Sequence, residues 1–193
     1  MLGAGVFGPL WGAAGHAPDG ICRRMIRPWG GFVPRIPVET FVDPSAQIIG
    51  DVELGSEASV WPLTVLRGDQ GSIFIGGETN LQDGTIAHAT GGLSTVRVGA
   101  RCTVGHRVLL HGCQVGDDCL IGMGSILLDN CDIGAGSIVA AGSLVPVGRR
   151  FPPGSMIMGS PARLVRTLNA RDIEMISRGH LTYLELGRSW RRS

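Results

Sequence analysis

The sequence has few aromatic residues and almost no excess charge, and each shortage excludes a class of function. Phenylalanine, tryptophan and tyrosine make up 5% of the 193 residues. The 17 basic residues nearly balance the 16 acidic residues, which gives a formal net charge of +1 at pH 7. So neutral a chain lacks the basic surface that attracts nucleic acids, and we expect no nucleic-acid partner. No apolar stretch approaches the roughly 18 uninterrupted residues of a membrane span, so we expect no membrane segment.

Cysteine is scarce, and its spacing fits no metal or redox motif. The five cysteines are odd in number, and no two of them have CxxC spacing. We therefore interpret them as reduced, small core residues and expect a cytoplasmic protein. Residues 1–24 are apolar, but they lack a basic start and are interrupted by glycine and proline, so we interpret them as a flexible N-terminal extension rather than a signal peptide.

Glycine, in contrast, is abundant, with 31 residues, and it belongs to a six-residue repeat. From Val98 onward an aliphatic residue opens short blocks, all but one of them six residues long: VGARCT, VGHRVL, LHGCQ, VGDDCL, IGMGSI, LLDNCD, IGAGSI, VAAGSL and VPVGRR. Glycine often follows the aliphatic residue, and a small residue often occupies the fifth position. Earlier blocks that begin at Leu54, Val60, Ile75 and Leu81 fit the same template.

This period predicts an all-β fold, a parallel β-helix shaped as a triangular prism. Three hexads form one coil with the aliphatic residues pointing inward, and successive coils stack about 4.8 Å apart. Glycine and asparagine suit the corners, because they adopt positive φ at little cost. A β-sandwich of short strands is the alternative, but hairpins do not produce a fixed period of six.

The repeat ends near Arg149, and a different pattern follows. Residues 150–168 contain turn residues and predict an exit strand, so the β-helix domain would span residues 25–168 with entry and exit strands. Asn169 is a suitable cap for a helix over residues 169–188, which leaves 189–193 as a solvated tail. One face of this helix should pack on the prism, and it carries Ile173, Ile176, His180, Tyr183 and Leu184.

Three histidines lie within the repeat, and their relative positions depend on the number of residues in each coil. The segment from Ala87 to the next clear block at Val98 has 11 residues, so we interpret residues 90–94 (TGGLS) as a loop of about five residues inserted at a corner. Without this loop in the count, Ala87 and Leu110 lie one coil apart, and His88 stacks against His111. The same count places His106 above Asp83, one side of the triangle away.

Side chains a full triangle side apart cannot share a metal within one chain, because zinc–nitrogen distances are about 2.0–2.1 Å. If three prisms pack side by side, the edge with His106 can meet the neighbour's edge with His88 and His111. Three neutral imidazoles plus an open position form the ligand set of a catalytic zinc site, which supplies hydroxide near neutral pH. The alternative is that each histidine is an ordinary hydrogen-bonded corner residue.

Three motifs resemble the gamma-class carbonic anhydrase-like family: VLRGD (65–69), NLQDGTIAH (80–88) and VGHRVLLHGCQVG (104–116). The similarity extends from Ile26 to Tyr183. The resemblance implies a left-handed β-helix and a homotrimer with metal at the subunit interfaces. It also implies reversible hydration of CO2 to bicarbonate, with Zn2+ as the cofactor and Fe2+ or Co2+ as alternatives.

The resemblance also implies roles for individual residues. His88 and His111 from one subunit and His106 from its neighbour would be the metal ligands, in agreement with the register count. Arg67 and Asp69 would form an interface ion pair, for which a solvated corner pair is the alternative. The other positions that match residues lining the family's site are Asn80, Gln82, Asp83 and Tyr183. Gln82 would orient the metal-bound water or the substrate; ordinary corner residues and a tyrosine anchoring the helix are the alternatives for this group.

Two departures from the family bear on activity. Gln70 replaces a glutamate of the best-characterised form, and the loop ATGGLST after His88 has no ionisable side chain where that form has an acidic proton shuttle. Because CO2 hydration releases a proton in each turnover, we expect slow catalysis. Two other functions stay open: a metal-dependent acyl-CoA thioesterase or hexapeptide acyltransferase, and a trimeric structural or assembly protein with a vestigial metal site. Since the family-like sequence begins at MIRPWGG, we also expect Met25 to be the natural start.

Overall fold

The computed structural model describes residues 25–192 of the chain. Residues 1–24, for which we predict a flexible extension, lie outside the described residues, as does residue 193. Between residues 25 and 192, no helix is long and apolar enough to cross a membrane.

Nineteen short strands are followed by one helix in the described part of the chain. In chain order the strands are β1 (Ile26–Arg27), β2 (Phe41–Val42), β3 (Gln47–Leu54), β4 (Ser59–Val60), β5 (Val65–Ile75), β6 (Asn80–Leu81), β7 (Ile86–His88), β8 (Val96–Val98), β9 (Thr103–Val104), β10 (Leu109–His111), β11 (Gln114–Val115), β12 (Leu120–Ile121), β13 (Ile126–Leu127), β14 (Asp132–Ile133), β15 (Ile138–Val139), β16 (Leu144–Val145), β17 (Arg150–Phe151), β18 (Ser155–Gly159) and β19 (Ala162–Thr167). Helix α1 spans Ala170–Trp190.

The strands wind into a left-handed parallel β-helix of about seven turns, which confirms the predicted fold. Each turn contributes to three faces of a prism. The helix face contains β2, β4, β6, β9, β12, β15 and β18. The apolar face contains the first halves of β3 and β5 together with β7, β10, β13 and β16, and the polar face contains their second halves together with β8, β11, β14 and β17.

The three faces differ in the side chains that point outward. Helix α1 covers the helix face, whereas the polar face presents a column of Arg97, Gln114, Asp132 and Arg150. The apolar face presents five aliphatic residues in register, all at least partly exposed, which we name the apolar ladder: Val65, Ile86, Leu109, Ile126 and Leu144. A column of this kind leaves apolar area in contact with water in a single chain, so it marks a candidate contact surface.

The strand register confirms the predicted loop at residues 90–94. Ala87 pairs with Leu110, and His88 pairs with His111. This coil therefore has 23 residues, five more than the 18 that separate Leu127 from Val145 in a regular coil. The one short hexad, LHGCQ, appears as the 17-residue step from Leu110 to Leu127.

A second insertion was not predicted. Leu66 pairs with Ala87, a step of 21 residues, and Val52 pairs with Ile73 with the same step. The three extra residues lie in strand β5 where it bends between the apolar and polar faces, around Asp69. Both insertions therefore fall at the same edge of the prism.

Aliphatic side chains fill the interior as predicted. Ile48, Leu66, Leu110 and Leu127 are all 0% exposed, each from a different coil. The four cysteines within the described range are buried and free, which confirms their interpretation as reduced core residues: Cys102, Cys113, Cys119 and Cys131. Cys22 lies outside the described residues.

Helix α1 begins at the predicted cap. The Asn169 side chain accepts a hydrogen bond from the Asp172 backbone N–H, and the Asp172 carboxylate accepts one from the Asn169 N–H, which completes a capping box. Ile176 and His180 are buried against the prism as predicted. Ile173 is 59% exposed, so its place on the packed face was predicted wrongly.

The buried face of the helix includes residues that the apolar pattern missed. Gly187 lies against Ser59 and Phe41, and Gly179 lies against Thr103, so the helix backbone approaches the prism closely at both positions. Because glycine has no side chain, it lets a helix pack closely on the prism without contributing to the apolar pattern that the sequence analysis used. The helix also continues to Trp190, two residues beyond the predicted end.

Candidate metal centre

The predicted metal ligands lie on two edges of the prism. His88 ends β7 and His111 ends β10, so both lie at the edge between the apolar and polar faces. His106 lies in the turn after β9, at the edge between the helix and apolar faces. The apolar face separates the two groups, as the register count predicted.

His88 and His111 face each other across the step between two coils. Nδ1 of His88 lies 3.4 Å from Nε2 of His111, and the ring centroids are 5.4 Å apart. Two nitrogen ligands of a tetrahedral zinc ion, each about 2.0–2.1 Å from the metal, lie roughly 3.3–3.4 Å apart. The spacing of the two nitrogens therefore fits a pair of ligands to one ion.

Asp69 fixes the orientation of His88. Its Oδ1 lies 3.0 Å from Nε2 of His88, and its Oδ2 accepts a hydrogen bond of 2.6 Å from Nη1 of Arg67. Burial raises the pKa of Asp69, but the hydrogen bonds from Arg67 and His88 outweigh it and hold that pKa below its ordinary value. Since an ionised carboxylate only accepts, Nε2 of His88 carries the hydrogen and Nδ1 keeps its lone pair.

Asp129 has the same relation to His111, and the sequence interpretation missed it. Oδ2 of Asp129 lies 3.1 Å from Nδ1 of His111 and accepts a 3.2 Å hydrogen bond from Thr90. Its Oδ1 accepts a hydrogen bond from Ser94. Burial raises the pKa of Asp129, but the bonds from Ser94 and His111 outweigh it and lower the pKa overall.

A register count could have found Asp129. Leu110 pairs with Leu127, so a position two residues beyond Leu127 lies next to His111 on the same edge. The contacts of the inserted loop with Asp129 could not have been found by a register count, because the conformation of the loop does not follow the repeat. Gly112 permits the contact: at φ +61° it has no side chain, and a Cβ there would overlap Asp129 and Ser94.

His106 is held differently. Its Nδ1 lies 2.9 Å from Oδ2 of Asp83, and the side chains of His106 and Asp83 are 42% and 46% exposed. The stacking of these residues confirms the register count. The Asp83 carboxylate leaves Nε2 of His106 as the nitrogen with the free lone pair, on an exposed edge.

Gln82 and Asn80 form a buried chain of hydrogen bonds beside His106. The Asn80 amide donates to the Thr103 hydroxyl at 3.0 Å and to the Cys102 carbonyl at 3.3 Å. The Gln82 amide nitrogen donates to Asn80 Oδ1 at 3.2 Å. This chain uses the Gln82 nitrogen and leaves its side-chain oxygen able to accept a hydrogen bond from a bound molecule.

Tyr183 completes the surroundings of His106. Its ring packs edge-on against Trp61 at a centroid distance of 5.3 Å, so the tyrosine does anchor the helix to the prism. Tyr183 also lines a cavity of 510 Å³ with Gln82 and His106. Burial, followed by the charge of Asp83, raises the pKa of Tyr183 above its ordinary value.

The three histidines do not converge within one chain. Among residues 25–192, no group of three or more His, Cys, Asp and Glu side chains could hold a metal ion. The spacing of His88 and His111 fits two ligand positions, and a third protein ligand would have to come from outside the described residues of this chain. The three-histidine set and the catalytic roles of its neighbours therefore stay predictions at this point.

Comparisons with known proteins agree with the fold. The families described as bacterial transferase hexapeptide (six repeats) and hexapeptide repeat of succinyl-transferase match residues 112–146 and 95–128. A hexapeptide transferase family protein from Anaplasma phagocytophilum has a TM-score of 0.82 and 36% identity, over 87% of this chain and 99% of that one. The fold therefore defines the class as hexapeptide-repeat proteins.

Proteins with similar sequences show which family of hexapeptide-repeat proteins is related to this chain. Protein YrdA of Escherichia coli is 40% identical over 151 residues, which cover 75% of this chain and 82% of YrdA. Gamma carbonic anhydrase 2, mitochondrial, of Arabidopsis thaliana is 40% identical over 158 residues, or 79% of this chain. The chain spans 57% of the length of that plant protein. The chain belongs to the gamma-class carbonic anhydrase-like family.

Proposed function

We propose that the protein is a metalloenzyme of the carbonic anhydrase kind, with zinc bound between two copies of the chain. His88 and His111 of one copy and His106 of its neighbour are the proposed ligands. The observation that carries this proposal is the pair of nitrogens 3.4 Å apart. Asp69 and Asp129 direct the lone pairs of these two nitrogens toward each other, an arrangement that favours a cation between them.

The apolar ladder supports a closed trimer. The apolar face lies between the His106 edge and the His88–His111 edge. If each copy places its His106 edge against the His88–His111 edge of the next, three apolar faces surround the threefold axis and bury their ladders. Ile86 and Ile126, 44% and 37% exposed in one chain, would then lose contact with water, which stabilises the assembly.

The proposed reaction is hydration of CO2 to bicarbonate. A zinc ion held by three imidazoles supplies hydroxide near neutral pH. Gln82 accepts a hydrogen bond through its side-chain oxygen and so orients the reacting oxygen, because Asn80 fixes its amide nitrogen. Fe2+ or Co2+ would be held by the same nitrogens.

The loop after His88 limits the proposed rate. Residues 89–95 contain no ionisable side chain, and the hydroxyls of Thr90 and Ser94 are engaged with Asp129. Each turnover releases a proton, which must then leave through water and buffer. We therefore expect hydration to depend strongly on buffer concentration.

The sharing of ligands between chains is tested by mixing two variants. His88→Ala and His106→Ala should each lose metal as purified proteins. A mixed trimer should regain sites, since His106 of the first variant can meet the intact His88–His111 pair of the second. Metal content measured after co-refolding should rise above that of either parent. If metal content does not rise, the ligands do not come from two chains.

The reaction is tested by stopped-flow CO2 hydration on zinc-, iron- and cobalt-loaded protein, with metal-free protein as the control. Metal-dependent hydration that rises with buffer concentration is the expected result. Full metal occupancy with no hydration at any buffer concentration would reject the enzyme and favour an assembly role for the metal.

A second candidate function has support from the cavity beside His106. This cavity runs from Gln82 and Tyr183 along α1 to Met156 and Met175, and most of its lining is apolar. Such a cavity suits an acyl chain better than CO2, so metal-dependent hydrolysis of an acyl-CoA thioester is the second proposal. Cleavage of a panel of thioesters of increasing chain length, faster than CO2 hydration, would favour it. Met175→Asp should then slow cleavage of the long chains alone.

A further inference from the structure

The carboxylate of Asp129 lies next to the candidate metal centre, but Asp129 is not a proposed metal ligand and is not among the site residues predicted from the sequence. Asp129 comes from the coil that follows His111, and its side chain is 15% exposed, against 28% for that of His111. It is held by two hydroxyl groups, those of Thr90 and Ser94, both from the inserted loop. The loop is therefore linked to His111 by hydrogen bonds to Asp129.

This connection decides which nitrogen of His111 carries its hydrogen. A neutral imidazole has one N–H and one lone pair, and the partner of one nitrogen sets the state of the other. Asp129 accepts from Nδ1, so Nε2 keeps the lone pair that faces His88. Without this acceptor the ring can place its hydrogen on Nε2 or rotate, and either change removes a metal ligand.

The two hydroxyls in turn decide where the carboxylate points. Thr90 holds one carboxylate oxygen and Ser94 holds the other, so rotation of the carboxylate would break at least one bond. Ser94 also accepts a 3.1 Å hydrogen bond from the Thr90 backbone N–H, which closes the loop on itself. The polar side chains of this loop are thus directed at Asp129, and none of them can exchange a proton near neutral pH.

We infer that Asp129 is a positioning residue for the metal ligand His111, and that the inserted loop acts through Asp129 rather than as a proton carrier. This inference rests on the proposed metal site. It assigns a role to a five-residue departure from the repeat that otherwise has none. Loss of such a partner typically weakens metal binding 10–100-fold.

The experiment compares cobalt(II) binding by Asp129→Ala, Asp129→Asn and Ser94→Ala with binding by the unchanged protein. Asp129→Ala should bind cobalt about 10–100-fold more weakly and shift the visible cobalt spectrum. Asp129→Asn keeps an acceptor oxygen and should recover part of the affinity. Asp132→Ala is the matched control, because Asp132 lies in the same coil on the polar face and should bind cobalt normally.

A second readout needs no metal. Nitrogen NMR of metal-free protein should find His111 with its hydrogen on Nδ1, and Asp129→Ala should move hydrogen to Nε2. Ser94→Ala keeps the Asp129 carboxylate and replaces Asp129→Ala in the experiment if that variant does not fold. Its cobalt affinity should fall several-fold.

The outcomes separate this inference from the function it rests on. If the unchanged protein binds no cobalt, the metal site fails. If the unchanged protein binds cobalt and Asp129→Ala or Ser94→Ala binds it equally well, with the His111 hydrogen in the same place, Asp129 has no positioning role.

Discussion

The coils between Leu66 and Leu110 differ from the coils that follow them. The first group advances by 21 and 23 residues per turn, whereas the later coils advance by 17 or 18. Most candidate site residues belong to the irregular coils. The exceptions are His111 and Asp129, which lie at the start of the regular coils opposite the inserted loop, and Tyr183 on helix α1. Departures from the repeat thus place polar groups at one edge, and the regular repeat provides the support that keeps them there.

The largest expected effect is on stability, in a regular coil. Leu127 is 0% exposed, and Leu127→Ala should reduce the free energy of unfolding by about 2–5 kcal/mol, because it leaves a cavity in a close-packed interior. Denaturant titration measures this change. The folded fraction should still bind cobalt with nearly unchanged affinity; a parallel loss of affinity would mean that the two groups of coils are not separable.

The opposite result is expected from removal of the inserted loop. Deletion of residues 90–94 leaves an 18-residue coil that the register can accommodate, so the β-helix should form with little change in its thermal midpoint. Metal affinity should fall roughly 100-fold, because Asp129 loses both hydroxyl partners. Circular dichroism and cobalt titration measure the two quantities. An unfolded product would show that the loop supports the fold and not only the site.

The apolar ladder runs through both the irregular and the regular coils. Substitutions in the ladder therefore test whether the two groups of coils contribute alike to assembly. Ile126→Arg in a regular coil and Ile86→Arg in an irregular one should each weaken the proposed trimer at least about tenfold, since each buries a charge at the axis. Arg97→Glu on the polar face is the control and should leave assembly unchanged. Sedimentation velocity measures the assembly. A trimer that tolerates both arginines would place its interface elsewhere.

The smallest effect concerns pH and the helix that starts beside the regular coils. Hydrogen bonds from Arg166, and then from the Asn169 backbone, lower the pKa of Asp172 to about 2. This pKa is lower in the folded chain than in the unfolded one, near 3.9. The stabilisation is therefore complete above about pH 4–5 and is lost as pH falls toward 2. Asp172→Asn should reduce the loss of unfolding free energy between about pH 5 and pH 2. If that loss is unchanged in the variant, other carboxylates cause it.

Much of this architecture follows from the sequence because a period of six leaves few alternatives. The register of His88 against His111, and of His106 against Asp83, followed from one inserted loop at a corner. These are consequences of counting, since stacked coils fix which residues become neighbours. The same count does not show which way a side chain points.

The sequence analysis missed or misplaced several residues for physical reasons. The extra residues around Asp69 lie inside one continuous strand. Gly68 and Gly71 are next to them, but in a chain with 31 glycines two more do not mark an insertion. Asp129 could have been found from the strand register, but its hydrogen bonds with the loop could not, because the conformation of residues 90–94 does not follow the repeat. Ile173 was assigned to the packed face by its apolar character, but Gly179 and Gly187 let the helix approach along a different line.

Strand β19 has a consequence for the end of the prism. It turns back and pairs antiparallel with β18, the last parallel strand of the helix face, so the outer side of that strand is already hydrogen-bonded. A stacked coil is otherwise a template on which another molecule could add its own first strand, and repetition of that step would build a fibre. On this face the reversed strand ends the growth of the stack.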